Sequence, residues 1–147
     1  MYRKYALITG FSVGMGLGGS AWGDELAEQV KAIPGGVEEM SFGGNWQDGD
    51  RSGAYRLVVT RGGVERVTAR LFIQWIAYGE AGATVADSIE IAELAELETD
   101  IVHLSTEADA DGLSVFVDTL AATGGMGETY EIHVFSPTDY LFGPASN

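Results

Sequence analysis

From Val37 onward the chain alternates apolar and polar residues at period two, in short runs separated by glycine, proline and aspartate. That pattern predicts β-strands with one face buried and one face in water. The runs are Val37–Trp46, Ala54–Thr60, Val64–Tyr78, Ala83 to about residue 95, Ile101–Thr106, Leu113–Leu120, Thr129–Phe135 and Thr138–Phe142. Gly43-Gly44 interrupts the first run and marks a bulge. Gln47 to Gly53 reads as a loop. Ile91 to Leu97 (IAELAEL) is helical in composition, but the alternation before it favours a strand. Ahead of the strands, Asp24 to Ala32 reads as a short helix capped by Asp24 and ended by Pro34-Gly35-Gly36, packed on an end or edge of the domain. The expected fold is therefore all-β, an antiparallel β-sandwich or small barrel of about eight strands with a short N-terminal helix.

The clearest hairpin joins Ala54–Thr60 to Val64–Tyr78. A three-residue Arg61-Gly62-Gly63 connection sets Thr60 opposite Val64, Leu57 opposite Val67 and Tyr55 opposite Ala69, and keeps apolar residues on one face. A two-residue turn mixes the faces. The odd positions from Val67 to Trp75 then point to the core. The even positions place Arg66, Arg70, Phe72, Ile76 and Tyr78 on the other face, joined there by Arg56.

The first 23 residues follow a different pattern. Met1-Tyr2-Arg3-Lys4 is basic, Tyr5 to Gly19 is uncharged and apolar, and Ala21-Trp22-Gly23 is a small-x-small exit. This is the layout of a secretory signal peptide over residues 1–23, leaving a single β-rich domain over 24–147 that is periplasmic or secreted. The apolar stretch is too short and glycine-rich for a membrane span. Ala6-Leu7-Ile8-Thr9-Gly10 with Gly14 and Gly16 resembles the nucleotide-binding turn of short-chain dehydrogenases, and Gly14, Gly16 and Gly19 spell G-x-G-x-x-G. The remainder of the chain does not alternate strand with helix. That family's Tyr-x-x-x-Lys is also missing, because the last lysine is Lys31. Gly10-Phe11-Ser12-Val13-Gly14 matches a nucleophile elbow but lies in the same leader.

Composition narrows the function. Among 147 residues, 8 are Lys or Arg and 22 are Asp or Glu, for a net charge of −14. Such a surface repels nucleic acid. With 46% hydrophobic and 20% charged residues the chain is too apolar to be disordered. No cysteine is present, which excludes disulfides, thiolate metal sites and thiol chemistry. No lysine or arginine follows Arg70, while 14 acidic residues do.

Three constellations carry candidate chemistry. The arginine–aromatic face (Arg56, Arg66, Arg70, Phe72 and Tyr78) has the makeup of a protein interface or ligand groove. Glu107-Ala108-Asp109-Ala110-Asp111-Gly112 with Asp118 places four carboxylates at EF-hand-like spacing. Glu at the first place, Asp at the last and flanking strands make it a looser calcium turn. His103 and His133 face away from the core and could pair on a metal, and Ser105 or Ser114 with His133 and Asp139 spells a triad on paper. Together these favour a non-catalytic binding or accessory module that takes another protein or a small ligand on the arginine–aromatic face. A calcium-stabilised module is the second reading and a hydrolase the third.

Overall fold

The computed structural model describes residues 20–121 and 124–146. The expected leader falls largely on residues 1–19, outside the described residues. The chain separates into two units, Met1–Ile33 and Pro34–Asn147. In the first, α1 spans Ser20–Lys31. It begins before Asp24, so Asp24 lies within the helix and does not cap it. Lys31 sits in its last turn, where a cation complements the helix dipole, and pairs with Glu28 at 3.7 Å. Among the described residues, no helix is long and apolar enough to cross a membrane.

The second unit is all-β apart from one short helix. Its elements are β1 (Val37–Asp48), β2 (Arg51–Gly62), β3 (Thr68–Gly79), β4 (Gly82–Glu90), α2 (Ala92–Leu97), β5 (Asp100–Ala108), β6 (Leu113–Leu120), β7 (Thr129–Ser136) and β8 (Asp139–Pro144). They form two four-stranded antiparallel sheets, each a simple meander, β1-β2-β3-β4 and β5-β6-β7-β8. The sheets stay separate, which makes a sandwich and not a closed barrel.

The core lies between the sheets. Trp46, Tyr55, Leu57, Val59, Leu71, Ile73 and Trp75 from the first meet Ile101, Leu113, Val115, Val117, Ile132 and Val134 from the second. The odd positions of β3 face inward as expected. The exception is Val67, which is exposed because β3 starts only at Thr68.

Four local features depart from the sequence expectation. The loop over Gln47 to Gly53 is a tight two-residue turn, with Asp48 paired to Arg51 across Gly49-Asp50 and bonded to it at 3.0 Å. The β2–β3 register is Thr60 opposite Arg70, Leu57 opposite Ile73 and Tyr55 opposite Trp75, closed by residues 63–67. This is six residues from the expected register. An even slip leaves every side chain on its expected face, so patterning alone does not select it. The observed register pairs large apolar residues with one another, where the shorter turn sets Tyr55 against Ala69.

Ile91 to Leu97 is helical and not a strand end. Ile91 and Leu94 are both fully buried three residues apart, a spacing that a strand sends to opposite faces. Finally, Val102 is exposed, because the β5–β6 pairing shifts between Ile101 and His103. The predicted bulge in β1 is present between Phe42 and Gly44. Gly44 (φ 119°) lies where an added Cβ would crowd Ala108 of the opposite sheet. The bulge switches the inward phase of β1 and turns Trp46 into the core.

Polar links tie the layers together. Arg61, at the end of β2, reaches across to β5. It donates to Asp100 at 2.8 Å and to the Ile101 carbonyl, and it pairs with Glu38 at 3.3 Å. Tyr140 of β8 donates to Glu93 of α2 at 2.7 Å. Burial and then this bond hold the Tyr140 phenol above its ordinary value, and the Tyr55 and Tyr130 phenols are also raised. The folded state therefore favours the neutral phenol. That stability is complete below about pH 10 and is lost as pH climbs through the raised values. Tyr140→Phe is expected to cost about 1 kcal/mol at neutral pH and to shrink the loss of stability above pH 10. Urea unfolding followed between pH 8 and 11 checks this, and an unchanged alkaline limb would refute it.

Candidate functional site

The meander topology brings four hairpin turns to one end of the sandwich: 49–50, 80–81, 109–112 and 137–138. Between them opens a cleft of about 680 Å³, lined by Asn45, Trp46, Gln47 and Ser52 near the first turn and by Tyr55 and Tyr78. Asp109, Asp111 and Gly112 close it from the β5–β6 turn, and Phe135 from β7. Two smaller cavities adjoin it. One, of about 290 Å³, shares Trp46, Gln47, Tyr55 and Phe135 and extends toward Trp75, Asp87 and Pro137. The other, of about 240 Å³, shares Asp109, Asp111, Gly112 and Phe135 and reaches Ser114 and His133. Phe135 lines all three and is 49% exposed, so its ring stands where the cavities meet.

The walls of the main cleft are aromatic, amide and carboxylate, and among the described residues its lining contains no Lys, Arg or His. Trp46 is fixed by donating its indole N–H to the Ala54 carbonyl at 3.2 Å. Tyr55 packs edge-to-face on Trp75 with centroids 5.7 Å apart. Burial is the main cause of the raised Tyr55 phenol. A contribution from Trp75 opposes it and the Asp109 charge adds to it, so Tyr55 stays a neutral hydrogen-bonding group. Tyr78 is 60% exposed at the rim. Asp109 is oriented by its own turn: its Oδ1 accepts from the Asp111 and Gly112 N–H groups at 2.8 and 3.2 Å. Arg51 stays with Asp48 and lies 5.9 Å over the Trp46 ring.

Two of the three sequence-derived constellations contribute residues to this cleft. Tyr78 comes from the arginine–aromatic face, Asp109 and Asp111 from the acidic turn. Arg56, Arg70, Phe72 and Tyr78 do share the outer face of the first sheet, where Met40, Phe42, Arg56, Ile76 and Tyr78 border a shallow hollow of about 340 Å³. The arginines are committed, however. Arg56 donates to Gln74 at 2.8 Å, and Arg70 grips Glu90 with two bonds of 2.5 and 2.7 Å. Arg66 is in the β2–β3 connection, off the strand face, and pairs with Glu98.

The four proposed calcium ligands do not converge. Asp118 is four residues along β6 from Ser114, about 13 Å by strand rise, and accepts from Thr129 at 2.6 Å. Glu107 sits opposite Ser114 on the outer face. Among the described residues no group of three His, Asp or Glu side chains gathers as a metal site. His103 and His133 are likewise apart, opposite Asp118 and Ser114 respectively.

No protein-family model matches the chain, and comparison with curated proteins and with solved structures finds no match to either.

The paper triad is partly realised with a different acid. Ser114 Oγ and His133 Nδ1 are 2.9 Å apart, and His133 Nε2 is 2.9 Å from Glu131, while Asp139 pairs with Ser136 in the backbone ladder. Ser114 is the second residue of β6, paired on one side with Glu107 of β5 and on the other with His133 of β7. The neighbouring Gly112 N–H is already given to Asp109. The arrangement reads as a cross-strand polar clasp.

Sequence reasoning missed Asn45, Trp46, Gln47, Tyr55 and Phe135. Phe135 carried a signal: it is a large aromatic in the outward phase of β7, where the flanking outward residues Glu131 and His133 are polar.

Proposed function

We propose that this chain is a non-catalytic binding module that takes a small organic ligand, neutral or cationic, in the cleft at the turn end of the sandwich. The observation that carries this reading is the convergence of three cavities on the exposed Phe135 ring, beside Trp46, Tyr78 and two carboxylates. Its volume falls in the range of small-molecule sites. Its lining sets aromatic faces among polar groups, and in the main cleft the two carboxylates, with no basic residue among the described lining residues, repel anions. The basic-apolar-small leader pattern supports a place outside the cytoplasm, where the strongly acidic surface favours solubility.

Backbone amide NMR of the full chain, titrated with a small-fragment set divided into neutral, cationic and anionic members, tests the reading. Neutral or cationic fragments should shift the amides of Asn45–Gln47, Tyr78, Asp111, Gly112 and Phe135. Phe135→Ala should abolish those shifts while leaving the rest of the spectrum in place. Hits confined to the outer face of the first sheet, or restricted to anions, would overturn it.

A further inference from the structure

Resting on that reading, we infer that the ligand class is a neutral saccharide, bound as a chain of several sugar units. A pyranose has an apolar C–H face and a rim of hydroxyls. It needs a flat aromatic surface on one side and planar groups that both donate and accept at its edge. The cleft supplies both. Tyr78 and Phe135 present exposed rings, and Trp46 backs the floor. Asn45 and Gln47 bring amides, each a donor and an acceptor. Asp111 brings a carboxylate whose two oxygens match a pair of adjacent hydroxyls, and Asp109, with Oδ1 held by its own turn, brings Oδ2.

The donor content separates this class from an organic cation. An ammonium group uses acceptors and ring faces alone. The amide N–H groups of the exposed Asn45 and Gln47 and the Tyr78 hydroxyl would then be left to water, whereas a sugar hydroxyl bonds them directly. The missing basic residue separates it from charged sugars. Uronic, sialic and sulfated units bring an anion against Asp109 and Asp111 in the main cleft, where no described lining residue is basic, and Arg51 at the adjoining cavity is already paired with Asp48 at 3.0 Å. The shape addresses length. Three adjoining cavities of about 680, 290 and 240 Å³ share the wall at Phe135, so a ligand that fills one can continue into the next.

Isothermal titration and amide NMR of the full chain with cellotriose, maltotriose, mannotriose and galactotriose provide the test, with choline and glucuronate as charged comparators. At least one trisaccharide should bind and shift Asn45–Gln47 and Gly112, and glucuronate should not. Tyr78→Ala and Phe135→Ala, both at exposed side chains, should each weaken binding about tenfold or more. Asp111→Asn should weaken it less, since an amide keeps one acceptor. Phe42→Ala, on the outer sheet face, should leave it unchanged.

Choline or the fragment set shifting the cleft while all four trisaccharides fail would overturn the saccharide assignment and leave the cleft as a binding site. No probe of any class shifting the cleft would overturn both. Trisaccharide binding that survives Tyr78→Ala and Phe135→Ala would also overturn the assignment, since the sugar would then sit elsewhere.

Discussion

Leu71→Ala is expected to lower the stability of the β unit by about 3 kcal/mol, within the range of about 2–5 for a buried leucine. Leu71 has no exposed surface, lies opposite Val59 on β2, and its carbonyl accepts the Ile91 N–H at 3.0 Å just where the chain leaves the first sheet for α2. Truncation leaves a cavity between three elements that are held by pairing and cannot collapse into it. Against a total stability of about 5–15 kcal/mol this is a large fraction, and the melting midpoint should fall by about 10 °C. Phe72→Ala, one residue away on the half-exposed outer face, should cost clearly less. Urea midpoints for the pair decide the matter. Equal losses would mean that the inward phase of β3 has been misplaced.

Gly112→Ala is expected to be as damaging and to disable the cleft at the same time. Gly112 has φ 147°, a region that residues with a side chain avoid, and an added Cβ would run into the Val134 carbonyl and stand 3.3 Å from the Phe135 Cα. Neither atom is the tip of a flexible side chain. Relief requires β7 to move away from the β5–β6 turn, which shifts Phe135 and breaks the Asp109 cage around the turn amides. Backbone strain of this kind costs about 1–3 kcal/mol before the collision is counted, so a loss of about 3 kcal/mol or more is expected. Ala110→Gly, in the same turn, should leave binding intact. If Gly112→Ala were as stable as the parent, the close approach of the turn to β7 would be wrong.

How much of this was legible in the sequence depends on range. The eight strands, the Gly43-Gly44 bulge and the inward phase of Leu71, Ile73 and Trp75 follow from alternation and turn residues, which act within a few positions. The β2–β3 register was not legible. Moving Tyr55 from Ala69 to Trp75 preserves every face, and only the packing of distant partners separates the two. The helix at Ala92–Leu97 was visible in composition and lost to the alternation upstream; the burial of both Ile91 and Leu94 settles it. The cleft lay furthest out of reach. Its walls come from residues 45–47, 52, 53, 55, 78, 109–112 and 135, and nothing local links a tryptophan at 46 to a phenylalanine at 135. What the sequence did offer were two of its pieces, Tyr78 and the Asp109–Asp111 turn, each attached to a different idea.

The two meanders follow one another along the chain and are joined by a single passage through Ile91 and α2. In the ladders every strand pairs only with its sequence neighbours, so each sheet is complete within one stretch of polypeptide. Contacts of short sequence separation close quickly, and each half can assemble its own ladder before the two meet. A half on its own would show water a wall of leucine, isoleucine and valine, and the matching wall belongs to the other half. Severing the chain after Leu97 would therefore yield two fragments, each insoluble or unfolded alone, that rebuild the native sandwich when mixed.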